Sequence, residues 1–180
     1  MPIRQAILFL VGGLVGPLLA ASPAHAERLL FDHQIQPQIG AVLDSGRKEM
    51  IFFDDSNPKN VYDRIALQGT SADNWTEALE IVVRTPQPNL KSPADWRQQI
   101  GAPTAAGCTA RLSPIAEDAT SLTFMRQAEA CGGAPAETGL YRIVAGRKSL
   151  FLLGARYKGQ MDEAQRGRWL ALLASARVAK

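Results

Sequence analysis

Tyr141 and Ile143, then Phe151, Leu153, Ala155 and Tyr157, recur at period two on either side of Ala145-Gly146-Arg147-Lys148-Ser149. Alternation of this kind gives a strand one apolar face for a core. A five-residue connection, with Gly146 supplying the turn, joins neighbouring antiparallel strands. The segment therefore predicts a β-hairpin.

Further strands are expected where short apolar, β-branched or aromatic runs are bounded by turn residues. Glu49 to Phe53 and Val61 to Leu67 are two such runs, and Thr120 to Arg126 alternates, with Leu122 and Phe124 opposite Thr123 and Met125. Asn74 to Arg84 fits a helix through Trp75, Leu79 and Val82, and equally a strand through Trp75, Glu77, Leu79, Ile81 and Val83. Its β-branched ending tips it toward a strand. Clusters at Asp55 to Pro58, Thr85 to Asn89, Gly101 to Pro103 and Gly132 to Pro135 read as turns.

Two helices are expected. Ser92 as N-cap, Pro93 at the first helical position and Asp95 in the first turn precede Trp96 and Ile100. Asp162 with Gln165 resembles a capping box and leads into Trp169, Leu172, Leu173 and Ala176 at helical spacing.

The first 26 residues carry a different pattern. Arg4 precedes an apolar stretch from Ala6 to Ala20, followed by Ser22-Pro23 and then Ala24-His25-Ala26. This is the order of a cleavable secretory signal peptide, with small residues where the peptidase pocket admits nothing larger. Cleavage is expected between Ala26 and Glu27. Gly12, Gly13, Gly16 and Pro17 weaken a continuous helix, and the apolar run falls short of the roughly 20 residues that span a bilayer. Removing 26 residues from 180 leaves 154, the size of a single domain from 27 to 180. The expected location is the periplasm of a Gram-negative bacterium, or outside the cell, with no membrane anchor left after cleavage.

Export bears on Cys108 and Cys131. An even cysteine count in an oxidising compartment predicts one disulfide. With a sequence separation of 23, the link stabilises by roughly 3 kcal/mol on the chain-entropy account. A metal pair would need further ligands, and the mature part has one histidine, His33. A redox couple usually shows Cys-x-x-Cys spacing, which is absent.

Charge is unevenly spread. Glu27 to Glu137 holds 10 Lys and Arg against 15 Asp and Glu, whereas Thr138 to Lys180 holds 9 against 2. The split reads as internal complementarity or as a surface for an anionic partner. If it is a surface, Arg147 and Lys148 with Arg156 and Lys158 are the expected contacts, toward a protein or an anionic envelope surface. Nucleic acid is a poor candidate for an exported chain.

Asn74-Trp75-Thr76-Glu77-Ala78-Leu79-Glu80-Ile81 resembles the "NWTEML-T-V" strand of a family of small exported proteobacterial proteins of unknown function. In that family a helix follows, then two cysteines some twenty residues apart and a hairpin of the type "G-x-x-x-LYxVxxA". Here the same order is met by Ser92 to Ile100, Cys108, Cys131 and Gly146 to Ala155, over about Ile65 to Ala176. Phe151-Leu152 stands where the family has Tyr-Val, and Ala78 where it has methionine. The resemblance implies an α+β fold, a PsbP-type α/β/α sandwich with an antiparallel sheet flanked by helices. It implies no activity, because that fold serves mainly for binding or assembly.

Chemical motifs are sparse. No Gly-x-Ser-x-Gly elbow, phosphate-cradling glycine loop or histidine cluster is present. No catalytic residue, metal or cofactor is assigned. Asp54 and Asp55, with Asp63 nearby, read as a solvated turn, with paired carboxylates or a calcium site as the alternatives. Glu77 and Glu80 fall on opposite faces of a strand and make no dyad. Trp75, Trp96 and Trp169 read as core residues. The leading expectation is a non-enzymatic periplasmic binding or accessory protein. The alternatives are a small-molecule or lipid carrier with an apolar pocket, and a carboxylate-based hydrolase using Asp54, Asp55 and Tyr62.

Overall fold

The computed structural model describes residues 27–103 and 107–179, so the expected leader and its residues Ala24 and Ala26 lie outside the described residues. In chain order the elements are β1 (Arg28–Leu30), α1 (Gln38–Asp44), β2 (Ile51–Asp54), β3 (Asn60–Gly69), β4 (Trp75–Arg84), α2 (Pro93–Gly101), β5 (Ala110–Glu117), β6 (Ser121–Ala128), β7 (Glu137–Ala145), β8 (Leu150–Lys158), α3 (Glu163–Ala174) and β9 (Arg177–Ala179). Seven strands form one antiparallel sheet in the order β2-β3-β4-β8-β7-β6-β5, and β1 pairs with β9 in a separate ribbon. The fold is α+β.

Alternation along the strands divides the core. Ile65, Leu79, Leu140 and Leu153 point to one face and pack with Ile39 of α1 and with Trp169, Leu172 and Leu173 of α3. Val82, Leu122, Phe124, Ile143 and Leu152 point to the other and pack with Trp96 of α2. Helices therefore lie on both faces. On its face α2 lies mainly against β5, β6 and β7 and reaches β4 through Trp96, beside Val82 and Arg84.

The ambiguous segment is strand β4, paired on both sides by β3 and β8. Both expected helix starts carry full capping boxes, Ser92 with Asp95 and Asp162 with Gln165. The hairpin is present with Ala145 paired to Leu150, so its connection is four residues. Gly146 does not supply a left-handed turn there. A Cβ at that position would come 2.5 Å from the Glu27 carboxylate, which accepts the Arg147 and Lys148 backbone N–H groups at 2.6 and 3.0 Å. The first residue after the expected cleavage point thus closes the β7–β8 turn. Glu49 and Met50 belong to a 3-10 turn before β2, not to the strand expected from Glu49.

Cys108 and Cys131 form the expected disulfide, with Cα atoms 5.9 Å apart. It ties the entry of β5, an edge strand, to the loop after β6. Changing both cysteines to serine should lower Tm by about 6–12 °C, from roughly 3 kcal/mol of lost loop constraint. Differential scanning calorimetry checks this, and an unchanged Tm would remove the staple's energetic role.

Candidate functional site

Three cross-strand rows on the α2 face build a cleft from the residues upward. The first runs Asp54, Tyr62, Val82, Leu152, Ile143, Leu122 across the sheet. The second runs Phe52, Arg64, Glu80, Gly154, Tyr141, Phe124. The third runs Ala66, Ala78, Arg156, Gly139, Arg126, Leu112. Glycine and alanine in the middle of the second and third rows leave a depression, because they put no bulk above the backbone. Mid-strand glycine commonly marks a place where another group approaches the sheet closely.

Tyr141 is that group. Its ring lies flat on the sheet: a Cβ at Gly139 would come 2.4–2.7 Å from the ring and hydroxyl, and one at Gly154 2.8–2.9 Å from the ring. Phe124 stacks beside it at 5.4 Å between centroids.

The charged residues of the depression form one network. Glu80, 6% exposed, accepts from the Tyr62 hydroxyl at 2.5 Å, Arg64 Nε at 3.0 Å and Arg156 Nη1 at 2.6 Å, all through Oε1. Arg156 also donates to Glu137 at 3.0 and 2.5 Å, bridging the two carboxylates. Burial works against the Arg156 charge, but the hydrogen bonds to Glu137 and the nearby negative charges outweigh it and hold the guanidinium protonated. Burial, followed by the charge and hydrogen bond of Glu80, pushes the Tyr62 phenol well above its ordinary value. Trp75 closes one end, with Arg156, Lys158 and Arg64 4.8, 5.0 and 5.8 Å from its ring.

Beside this network a cavity of about 440 Å³ runs along α2, walled by Trp96, Ile100, Val82 and Leu152 and reaching Arg84, Arg126 and Tyr141. Arg84 stacks over Trp96 at 5.0 Å and bonds Asn60 at 3.0 Å, with no carboxylate partner among the described residues. A larger cavity of about 640 Å³ beside the disulfide is lined mainly by small and loop residues. It gathers no comparable set of buried polar groups and adjoins residues 104–106, outside the described ones.

The residues singled out in the sequence fall in different places. Arg147 and Lys148 sit at the tip of the β7–β8 hairpin, and the Arg147 side chain is 68% exposed. Arg156 and Lys158 sit at the far end of β8, some 20 Å or more away at strand rise, with Arg156 inside the Glu80–Glu137 network. The four are not one surface. Arg156 pairs with internal carboxylates, and Arg156 and Lys158 both lie over the Trp75 ring.

Asp54 lines the α2-side cleft and Asp55 is exposed. Asp63 projects from the opposite face, in register with Phe53 and Ile81. One of its oxygens is buried without a hydrogen-bond partner. The three carboxylates are therefore split across the sheet, and Tyr62 is committed to Glu80. Glu77 and Glu80 lie on opposite faces as expected, yet both are buried. His33 is exposed in a 3-10 turn, its ring nitrogen 2.9 Å from the Gln34 amide. Among the described residues no group of three or more His, Cys, Asp or Glu could hold a metal ion, and no helix is long and apolar enough to cross a membrane.

No family model matches the chain, and no curated protein matches it.

Proposed function

We propose that this chain is an exported, non-enzymatic binding protein whose ligand site is the arginine- and tyrosine-lined cleft beside α2. One observation carries the reading: the Tyr141 hydroxyl, on a residue 6% exposed, has no hydrogen-bond partner among the described residues and faces a cleft that α2 covers on one side only. That hydroxyl reaches the cleft and is open to a ligand that enters, and a few convergent polar groups beside an apolar wall are the usual makeup of a binding site.

The disulfide supports an oxidising compartment such as the periplasm. One antiparallel sheet with helices on both faces is the architecture that the PsbP-type reading calls for. Binding is favoured over acid–base chemistry because Glu80 and Glu137 are already engaged by guanidinium groups and a phenol. The polar lining turns the carrier alternative from an apolar pocket into a cleft for a charged molecule.

A thermal-shift titration of the purified protein with a periplasmic extract, split into small-molecule and protein fractions, tests this. A ligand at 100 times its Kd adds about 2.7 kcal/mol, or about 5–11 °C in Tm for a domain of this size. The shift should come from the small-molecule fraction and vanish in Arg84→Glu. A shift from the protein fraction alone would favour an accessory role through a protein partner. No shift from either fraction defeats the binding reading.

A further inference from the structure

We propose that the hollow over Gly139 is an oxyanion subsite in which Tyr141 and Arg126 seat the carboxylate or phosphate head of a small organic anion. The inference rests on the binding reading above and names the chemistry the cleft takes.

The hydroxyl has a fixed direction. With the Tyr141 ring lying over Gly154 and then Gly139, its oxygen sits above Gly139, whose register neighbours are Arg126 on β6 and Arg156 on β7's other side, β8. The two arginines differ in what they have left to give. Arg156 is consumed by Glu80 and Glu137. Arg126 reaches the Ile100 carbonyl at 3.3 Å through Nε and stands 3.6 Å from Glu137 through Nη1. That carboxylate is already bonded twice by Arg156, and Arg126 Nη2 has no partner among the described residues.

Beside the engaged carboxylates of Glu80 and Glu137, the hollow therefore keeps two donors to spare, the Tyr141 O–H and Arg126 Nη2. Burial keeps the Tyr141 phenol protonated, so it offers an O–H, and the guanidinium offers N–H groups and a positive charge. A group that only accepts hydrogen bonds and carries negative charge satisfies both, which describes a carboxylate or a phosphate. A cation would meet Arg126, and a neutral hydroxyl would make only the weaker bond to a guanidinium that Glu137 holds at 3.6 Å. Next to the hollow, Trp96, Ile100 and Leu152 present an apolar wall, so the body attached to the anionic head is apolar or aromatic.

Isothermal titration and ¹H–¹⁵N spectra of the full exported protein with phenylacetate, phenyl phosphate, inorganic phosphate and neutral phenylethanol test the assignment. At least one organic anion should bind and shift the Arg126 and Tyr141 resonances, with phenylethanol at least about tenfold weaker. The stronger of phenylacetate and phenyl phosphate identifies the head group. Tyr141→Phe keeps the ring and should weaken binding about tenfold with Tm retained. Arg126→Gln should weaken it more, and Arg147→Gln at the hairpin tip should leave it unchanged. Equal binding of phenylethanol, or equal anion binding by Tyr141→Phe, Arg126→Gln and the unaltered protein, overturns the subsite. If every probe fails while the small-molecule fraction still stabilises the protein, the subsite falls and the binding reading stands.

Discussion

Replacing Arg156 with methionine will cost the fold about 3–5 kcal/mol, far more than any change at the exposed arginines of the same hairpin. Methionine keeps most of the aliphatic length, so the loss comes from electrostatics. Without the guanidinium, Glu137 keeps only the 3.6 Å approach of Arg126, and Glu80 keeps Tyr62 and Arg64. Breaking a buried pair by removing one partner leaves an uncompensated charge, and that penalty sets the magnitude. The Arg156 side chain is 23% exposed and those of Glu80 and Glu137 are 8% and 14% exposed, so water screens little of it. Arg147→Met, on a side chain open to solvent, should change stability by no more than about 0.5 kcal/mol. Removing the acids as well, in Arg156→Met with Glu80→Leu and Glu137→Leu, should recover much of the loss, because a buried ion cluster is often no better than an apolar one. Urea unfolding of the three variants measures all of this. Equal midpoints for Arg156→Met and Arg147→Met would show that the acids are solvated and the network carries no weight.

Arg156 also marks the boundary of what was legible in the chain. The strands and the caps were open to reading because their signals are local. Ser92 and Asp162 accept from backbone groups three residues on, and the period-two run in β8 is visible within nine residues. What escaped notice depended on partners far along the chain. Helix α1 begins at Gln38 with no side-chain cap and carries Gly40 in its middle. It is held by Ile39 packing under the sheet. Strand β5 holds few large apolar residues and includes Pro114 at an irregularity in its pairing with β6. Both features suit an edge strand, and neither announces a strand.

The cleft was hidden for the same reason. Tyr141 and Arg156 read as strand residues, and Arg147, Lys148, Arg156 and Lys158 read as one patch. Register separates them: Arg156 falls beside Ala78 and Gly139, within reach of Glu80 and Glu137. A weak signal was present. On one face β8 passes from Leu152 to Gly154 to Arg156, and β7 passes from Glu137 to Gly139 to Tyr141. Two neighbouring strands that interrupt an apolar face with glycine and then charge describe a hollow with polar walls. Recognising it required knowing that the two glycines lie side by side, and no local pattern supplies that.

On the opposite face, Trp169→Ala will unfold the protein at physiological temperature, and the cause is divisible. Trp169 is fully buried among Leu79, Leu140, Leu153 and Leu172, and its truncation opens a cavity costing about 3–5 kcal/mol. Its indole N–H also donates to Glu77 at 2.8 Å. Glu77 is 2% exposed, and among the described residues Trp169 is its hydrogen-bond donor. Orphaning a buried carboxylate adds about 1–3 kcal/mol or more. Together these approach the whole stability of an ordinary domain, about 5–15 kcal/mol. Trp169→Phe separates the two parts, since it fills most of the volume and supplies no donor. It should cost about 2–4 kcal/mol, and a second change, Glu77→Met, should return part of that loss, because removing both partners of a buried hydrogen bond is nearly neutral. The double-mutant cycle then gives a coupling energy of about 1–3 kcal/mol between β4 and α3. Additive losses would mean that Glu77 finds solvation without the indole and that packing alone holds α3 to the sheet. A positive coupling assigns Glu77 its place: a carboxylate in the core, kept by one N–H bond that fixes how far along β4 the last helix docks.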